Sequence, residues 1–347
     1  MQTLPFREVA AKPIQLRDRT LYIGTAAIPD DTLISGNNWQ ISAQSLTHHL
    51  HTHAAYYGEP MHIPTAAAIF DCTHELDALG HFLPLIRILD ATQRKSFMTR
   101  LNALLHDSRV RINTSPHSVV GRLPLSARAL IAGQMLMCFF YRDDVLESIL
   151  NTNPAFVLFH SRSEYERGGG VGGGCYDPRP HHILLQISRL YEGFFCEIPE
   201  VCPLLHEFGH MLDGTCMRLM EYAECRGELP LLTPAQRAAF AQAKASEYAH
   251  YMAHYHGRAT SAHHPLGHPY VFQTDGEFLA GYWELFWRNP HTVAQVCPQL
   301  FRAWSDYTQC DPRLALPRDY MGYVNGNRAF YGSGERPWPS SIRYHVG

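Results

Sequence analysis

The amino-acid sequence predicts an α+β fold: a mainly helical N-terminal part, residues 1–150, and a C-terminal part, residues 151–347, that carries the chemistry. Three observations support this. Apolar residues recur at helical spacing over much of residues 76–150. Short branched apolar runs bounded by turn residues follow from Ala155 onwards. Two histidines four residues apart sit within an apolar helical stretch near Leu205.

Taken in order, residues 1–60 mix short apolar stretches with turn signals such as Ile28-Pro29-Asp30-Asp31 and Ser35-Gly36-Asn37-Asn38. The irregular cluster His48, His49, His51 and His53 reads as solvated surface. Leu85, Ile88, Leu89, Phe97, Leu101 and Leu104 set a helical stretch over 76–105, interrupted at Pro84. A further helix is expected over Ser126–Tyr141, continuing at Asp144–Leu150. Asn151–Pro154 then marks a boundary.

Beyond it, Ala155–His160 reads as a short strand, and Gly168–Cys175 as a flexible segment, either a flap near a cleft or a plain linker. His182–Leu190 has the length and branching of a strand. It is either an exposed edge that holds an extended ligand or a buried interior strand. Helices are expected over Ile198–Leu212, with Pro203 near the start, over Thr233–Tyr255, opened by a Thr-Pro cap, and over Asp275–Trp287, stopped by Asn289-Pro290. The Gly-, Tyr- and Pro-rich tail from Tyr320 reads as loop.

Composition narrows the function. A hydrophobic fraction of 46% against 18% charged residues excludes a disordered chain. A formal charge of −3 removes any global electrostatic case for nucleic acid or an anionic membrane. The longest apolar run, near Leu130–Tyr141, is too short to span a bilayer. Arg7, Glu8, Lys12 and Pro13 interrupt the stretch a signal peptide would need, and the nine cysteines form no C-x-x-C pair. The expected location is cytoplasmic. The 22 histidines prompt a search for a metal site.

That search ends at His206-Glu207-Phe208-Gly209-His210, an H-E-x-x-H pattern on a predicted helix. Composition alone would give about 0.07 such matches in a chain of this kind. Residues four apart stack on one helix face, so both imidazoles can turn towards one ion. The glutamate between them points aside, within reach of a water on that ion. Cys202, Leu204, Leu205, Phe208, Met211 and Leu212 make the helix apolar most of the way round, and two buried imidazoles need a polar partner. His74 and His81 are seven apart, and no single ion bridges them easily. His250, His254 and His256 read as a polar helix end rather than a second metal site.

A third ligand is required. Metzincins place a histidine six residues after the second, but Cys216 stands there and Asp213 occupies the glycine position. Downstream candidates are Glu221, Glu224, Glu247, Glu277, Glu284 and the histidines from His250 to His268. Glu277 suits best, because a carboxylate opening so apolar a helix wants a counter-charge. Glu284 and Asp213 could instead orient a ligating ring.

At this point the sequence resembles the Mlc titration factor A family of zinc peptidases, related to the catalytic domain of anthrax lethal factor. The resemblance rests on His-Glu-Phe-x-His-x-Leu-Asp at 206–213, on Tyr270-x-x-x-x-Asp275-x-Glu277 with Ala280 and Glu284, and on Pro298-x-Leu300-Phe301 with Asp311-Pro312. It spans roughly residues 155–312, with Gly276 where the family usually has alanine. It implies a zincin-like catalytic domain in which His206, His210 and Glu277 ligate Zn2+, Glu207 is the general base and Tyr270 steadies the oxyanion. A phenol aimed at a developing oxyanion is a sound electrostatic device, although Tyr270 could equally pack among Pro269 and Phe272. The resemblance further implies aminopeptidase-like activity on small peptide substrates and association with a transcriptional regulator. The alternative function is a regulatory protein-binding module of zincin fold with little or no turnover.

Overall fold

A computed structural model of the chain describes residues 2–5, 8, 14–18, 20–35, 40–44, 47, 83–115, 125–159, 162–186, 189–190, 202–213, 233–258 and 264–334. The elements are β1 (Thr3–Pro5), β2 (Ile14–Arg17), β3 (Thr20–Ile23), β4 (Ala26–Ile28), β5 (Leu33–Ser35), β6 (Gln40–Ser42), α1 (Ala91–His106), β7 (Arg111–Thr114), α2 (Leu125–Cys138) and α3 (Asp143–Leu150). They continue with β8 (Ala155–Phe159), α4 (Arg162–Arg167), β9 (Gly174–Asp177), β10 (His182–Gln186), α5 (Pro203–Leu212), α6 (Pro234–Tyr255), α7 (Asp275–Arg288), α8 (Pro290–Val296), α9 (Pro298–Thr308) and α10 (Met321–Gly332). This mixture of helices and small sheets is α+β.

Local chemistry explains most of the helix limits. Asp90 caps α1 and Thr233 caps α6, each in a reciprocal capping box with a glutamine three residues on. The Thr274 hydroxyl accepts the Glu277 N–H at 3.1 Å and so starts α7. Prolines open α5, α6, α8 and α9, where their missing N–H costs nothing.

Beside helices α1–α3, the described N-terminal residues also hold strands that the sequence did not single out. Residues 3–42 contribute two small three-stranded sheets, ordered β1-β5-β6 and β2-β3-β4. Their strands are only three or four residues long, too short for alternation to stand out against the turns between them. The boundary read at 151–154 is also not a division between sheets. β7, from before it, pairs in parallel with β8, from after it, matching Arg111 with Ala155 and Thr114 with Leu158.

The third sheet positions the site. Its order is β7-β8-β10-β9. β10 runs parallel to β8 and antiparallel to β9, so the strand that begins at His182 is interior. Among the described residues the outer strands are β7 and β9, and β9 grows out of the Gly-rich segment. Helix α5 lies against this sheet, with Phe208 edge-on to Phe156 of β8 at 5.8 Å between ring centroids. Its other side packs on α7, where a Cβ placed on Gly209 would come within 2.6 Å of the Ala280 backbone. Glycine is required there because the two helix backbones nearly touch.

Aromatic residues wedge α7 into the core. Trp283 stacks on Phe139 at 5.8 Å and meets Trp304 of α9 at 4.8 Å, while Phe240 of α6 closes on Trp304 at 4.5 Å. The tail expected to be loop forms α10 instead, burying Val324, Asn327 and Tyr331 along one face. Its glycines lower intrinsic propensity, and burial overrides them. The histidine cluster 48–53, the pair His74/His81, and Glu221 and Glu224 lie outside the described residues.

Candidate metal centre

Every residue from Pro203 to Leu212 is buried except His206, which is partly exposed. The helix therefore offers its two imidazoles at one opening in an otherwise apolar wall. Their ring centroids lie 5.0 Å apart. Glu277, opening the neighbouring helix, meets both: its Oε2 is 2.9 Å from Nε2 of His206 and 3.5 Å from Nε2 of His210. One ligand atom from each of the three falls within 4.8 Å of the others. Among the described residues these three side chains are the group with the types and closeness to hold a metal ion.

The surroundings fix each member. Glu284, buried one helical face-repeat beyond Glu277, accepts the Cys202 N–H at the start of α5. Its other oxygen sits 3.6 Å from Nδ1 of His206, on the side of the ring away from Glu277. Asp213 is fully buried, but Nδ1 of His210 makes no hydrogen bond, so Asp213 does not hold that ring. Glu247 stands apart: Tyr282 donates to it, the Leu266 N–H reaches it at 3.2 Å, and His250 lies 3.2 Å away. That network ties α6 to α7 and to the segment before Tyr270. The His254 ring packs on His264 and Tyr331 rather than joining His250.

Charge is tightly compensated here. Burial opposes a charged His206, yet the Glu277 and Glu284 carboxylates outweigh it and raise the ring to about 10. Burial likewise opposes a charged Glu277, and the two imidazoles hold it well below the usual carboxylate range. A divalent ion bound between these rings would have to displace the proton that the two carboxylates favour on His206. Titration with a divalent metal in buffers of different ionisation enthalpy should read about one proton released per ion near pH 7. Release of none would show that the ring is already neutral.

Glu207 lies beside this cluster, with its carboxylate against β9. A Cβ on Gly174 would stand 2.7 Å from its Oε1, so the first residue of the edge strand must be glycine for the carboxylate to fit. Burial pushes the Glu207 carboxyl upwards, with the nearby imidazoles and the Tyr176 N–H working against that rise. Tyr270 reaches the site from the short turn of helix Pro269–Phe272. Its hydroxyl donates to Oε1 of Glu277 at 2.6 Å, and burial together with that carboxylate keeps the phenol protonated.

A cavity of about 370 Å³ opens over these residues, with His206, Glu207 and Tyr270 in its wall. Gly172, Gly173 and Gly174 of the Gly-rich segment, read as a flap or a linker, also line it, as do Arg189 and Tyr323, which sequence reasoning did not single out. For Tyr323 a signal existed, because Val324, Asn327 and Tyr331 have helical spacing that the glycines obscured. Arg189 carried none.

A search of the curated proteins found no match to this chain. The family model described as glucose-regulated metallo-peptidase M90 matches residues 154–309, which contain α5, α7 and every residue of the His206–His210–Glu277 group. That match supports, over those residues, the resemblance to the Mlc titration factor A family of metallopeptidases.

Proposed function

We propose that this chain is a zinc peptidase of zincin type, with His206, His210 and Glu277 as ligands and Glu207 as general base. The observation that carries the reading is the convergence of the three ligand atoms within 4.8 Å, beside a buried carboxylate on the same helix. The donor set fits. Two imidazoles and one carboxylate leave a position open, and bonds of about 2.0–2.1 Å in a tetrahedral centre imply ligand atoms about 3.3 Å apart. The spacings of 2.9 and 3.5 Å from Glu277 to the two rings bracket that value.

Zinc, when bound, acidifies water and polarises the scissile carbonyl. The chain's own residues do the rest. Glu207 takes the proton of the attacking water and passes it to the leaving amine, a step for which its raised pKa suits it. Tyr270, held protonated, would turn its single O–H from Glu277 to negative charge developing at the cavity wall. β9 offers an edge to which an extended peptide adds as a strand, placing its backbone alongside Glu207.

Aminopeptidase-like action would need a carboxylate free to bind an α-amine. Glu277 and Glu284 are committed to imidazoles and the Cys202 N–H, which favours recognition along the chain over recognition of an N-terminus. The test is metal removal on the full chain. Chelation should abolish cleavage of a mixed peptide library read by mass spectrometry, and about one equivalent of zinc should restore it. Tyr270→Phe should lower turnover by about 10- to 1000-fold with metal content unchanged. Cleavage that survives chelation, or full metal content in Glu277→Ala, would overturn the assignment.

A further inference from the structure

In the peptidase reading Tyr270 has to turn its O–H away from Glu277, and a side chain does so productively only from a fixed backbone. The single turn Pro269–Phe272 is too short to fix itself. Just after Tyr270, Val271 fills notches left by two glycines. An ideal Cβ on Gly267 would lie 2.5 Å from one of its methyls, and one on Gly281 of α7 would lie 2.3 Å from the other. Just before it, Leu266 and Gly267 belong to no helix or strand, yet their backbone groups are all engaged. The Leu266 N–H donates to Glu247 of α6 at 3.2 Å, and the Gly267 N–H donates to the Tyr282 hydroxyl of α7 at 3.2 Å. The carbonyls are met from α10: Asn327 Nδ2 donates to Leu266 at 2.7 Å, and the Tyr331 hydroxyl donates to Gly267 at 2.9 Å. The next N–H, of His268, donates to the oxygen of Tyr323, also on α10.

Tyr323, Asn327 and Tyr331 are four residues apart, so they form one stripe along α10. Asn327 and Tyr331 are each 2% exposed. A buried amide or phenol costs stability unless it is hydrogen-bonded, and both of these bond to consecutive carbonyls of the segment that delivers Tyr270. Ring contacts reinforce the hold: Phe330 lies 5.6 Å from the His268 ring, and Tyr331 lies 4.8 Å from the His254 ring of α6. Neither Asn327 nor Tyr331 is among the residues lining the cavity, so they reach it only through what they hold. α10 also lies beyond residues 154–309, the stretch that the family model matches.

We propose that Asn327 and Tyr331 of α10 are positioning residues for Tyr270: by gripping the two carbonyls ahead of its turn they fix the backbone from which its O–H swings into the cavity. The proposal deepens the peptidase reading and rests on it, since there Tyr270 steadies the developing negative charge.

The experiment uses the full-length, zinc-loaded protein and the peptide that it cleaves fastest from the mixed library. Tyr331→Phe deletes only the gripping hydroxyl, and Asn327→Leu replaces the amide by an apolar group of similar shape. Each should lower kcat about tenfold, with KM and zinc content unchanged. Repeated in a Tyr270→Phe background, each should cost less than about twofold, because the group that it positions is gone. A loss as large in that background, the signature of a merely structural role, overturns the proposal, as does wild-type kcat in both variants. Fluorine NMR of fluorotyrosine-labelled protein supplies a readout without turnover. The Tyr270 resonance, identified by its absence from Tyr270→Phe, should move in both variants, and a resonance that stays in place in either overturns the proposal. Should one variant fail to fold, the other carries the same test. If the wild type hydrolyses no peptide, the peptidase reading fails on its own, and the resonance still decides whether α10 sets the placement of Tyr270.

Discussion

Glu207→Gln is expected to lower kcat/KM by about 10²- to 10⁴-fold, the usual contribution of a positioned general base. Its metal content should match the wild type, since residue 207 faces β9 while the ligands face each other. Glutamine has the same shape and can still accept the Tyr176 N–H, so the fold should be undisturbed. The pH profile supplies a second reading. Activity requires ionised Glu207, and burial raises its pKa. The acidic limb of kcat/KM should accordingly fall at a pH above the ordinary glutamate range, and it should be absent from the residual activity of Glu207→Gln. Metal analysis and a pH–rate series check both. An unchanged rate would remove Glu207 from the mechanism.

Gly209→Ala should have the next largest effect, although residue 209 contacts neither metal nor substrate. The added methyl would sit 2.6 Å from the Ala280 Cα and 3.1 Å from its Cβ. The Cα is backbone and the Cβ is fixed to it, so neither can swing aside. Alanine gains about 0.8–1.0 kcal/mol of intrinsic helix propensity over glycine. Overpacking a tight contact costs about 1–3 kcal/mol, so the steric term wins. The strain is relieved by separating α5 from α7, and those are the helices that carry His210 and Glu277. Metal affinity should drop by about tenfold or more, equivalent to about 1.4 kcal/mol, and the melting temperature should fall with it. Unchanged values of both would show that this contact does not set the ligand spacing.

How much of this was legible in the sequence follows from the range of each interaction. The H-E-x-x-H helix is a local object: its period, its apolar faces and its N-terminal proline all lie within ten residues, and α5 ends at Leu212 as expected but begins at Pro203, with Cys202 already outside it, rather than at Ile198. Glu277 lies 71 positions from His206, yet an apolar helix opening on a carboxylate marked it, because such a group demands a partner. Pairing partners left no such trace. Nothing in His182–Gln186 says that it is flanked on both sides, since an interior strand and a one-sided edge strand share the same branched residues. β9 was hidden because its first residue is the glycine that Glu207 requires, and glycine reads locally as loop. The strands of residues 3–42 are shorter than the window in which alternation becomes visible.

The pairing of β7 with β8 bears on how this protein can be divided. A fragment trimmed to residues 154–309 would keep the three metal-site side chains but discard β7, leaving a row of bare N–H and C=O groups along β8. It would also lose Asn327 and Tyr331, whose side chains latch the carbonyls of Leu266 and Gly267 just ahead of Tyr270. An uncovered strand of that composition invites self-association. The matched stretch thus holds the metal-site side chains, while a piece that keeps these pairings begins before Arg111 and runs past Tyr331.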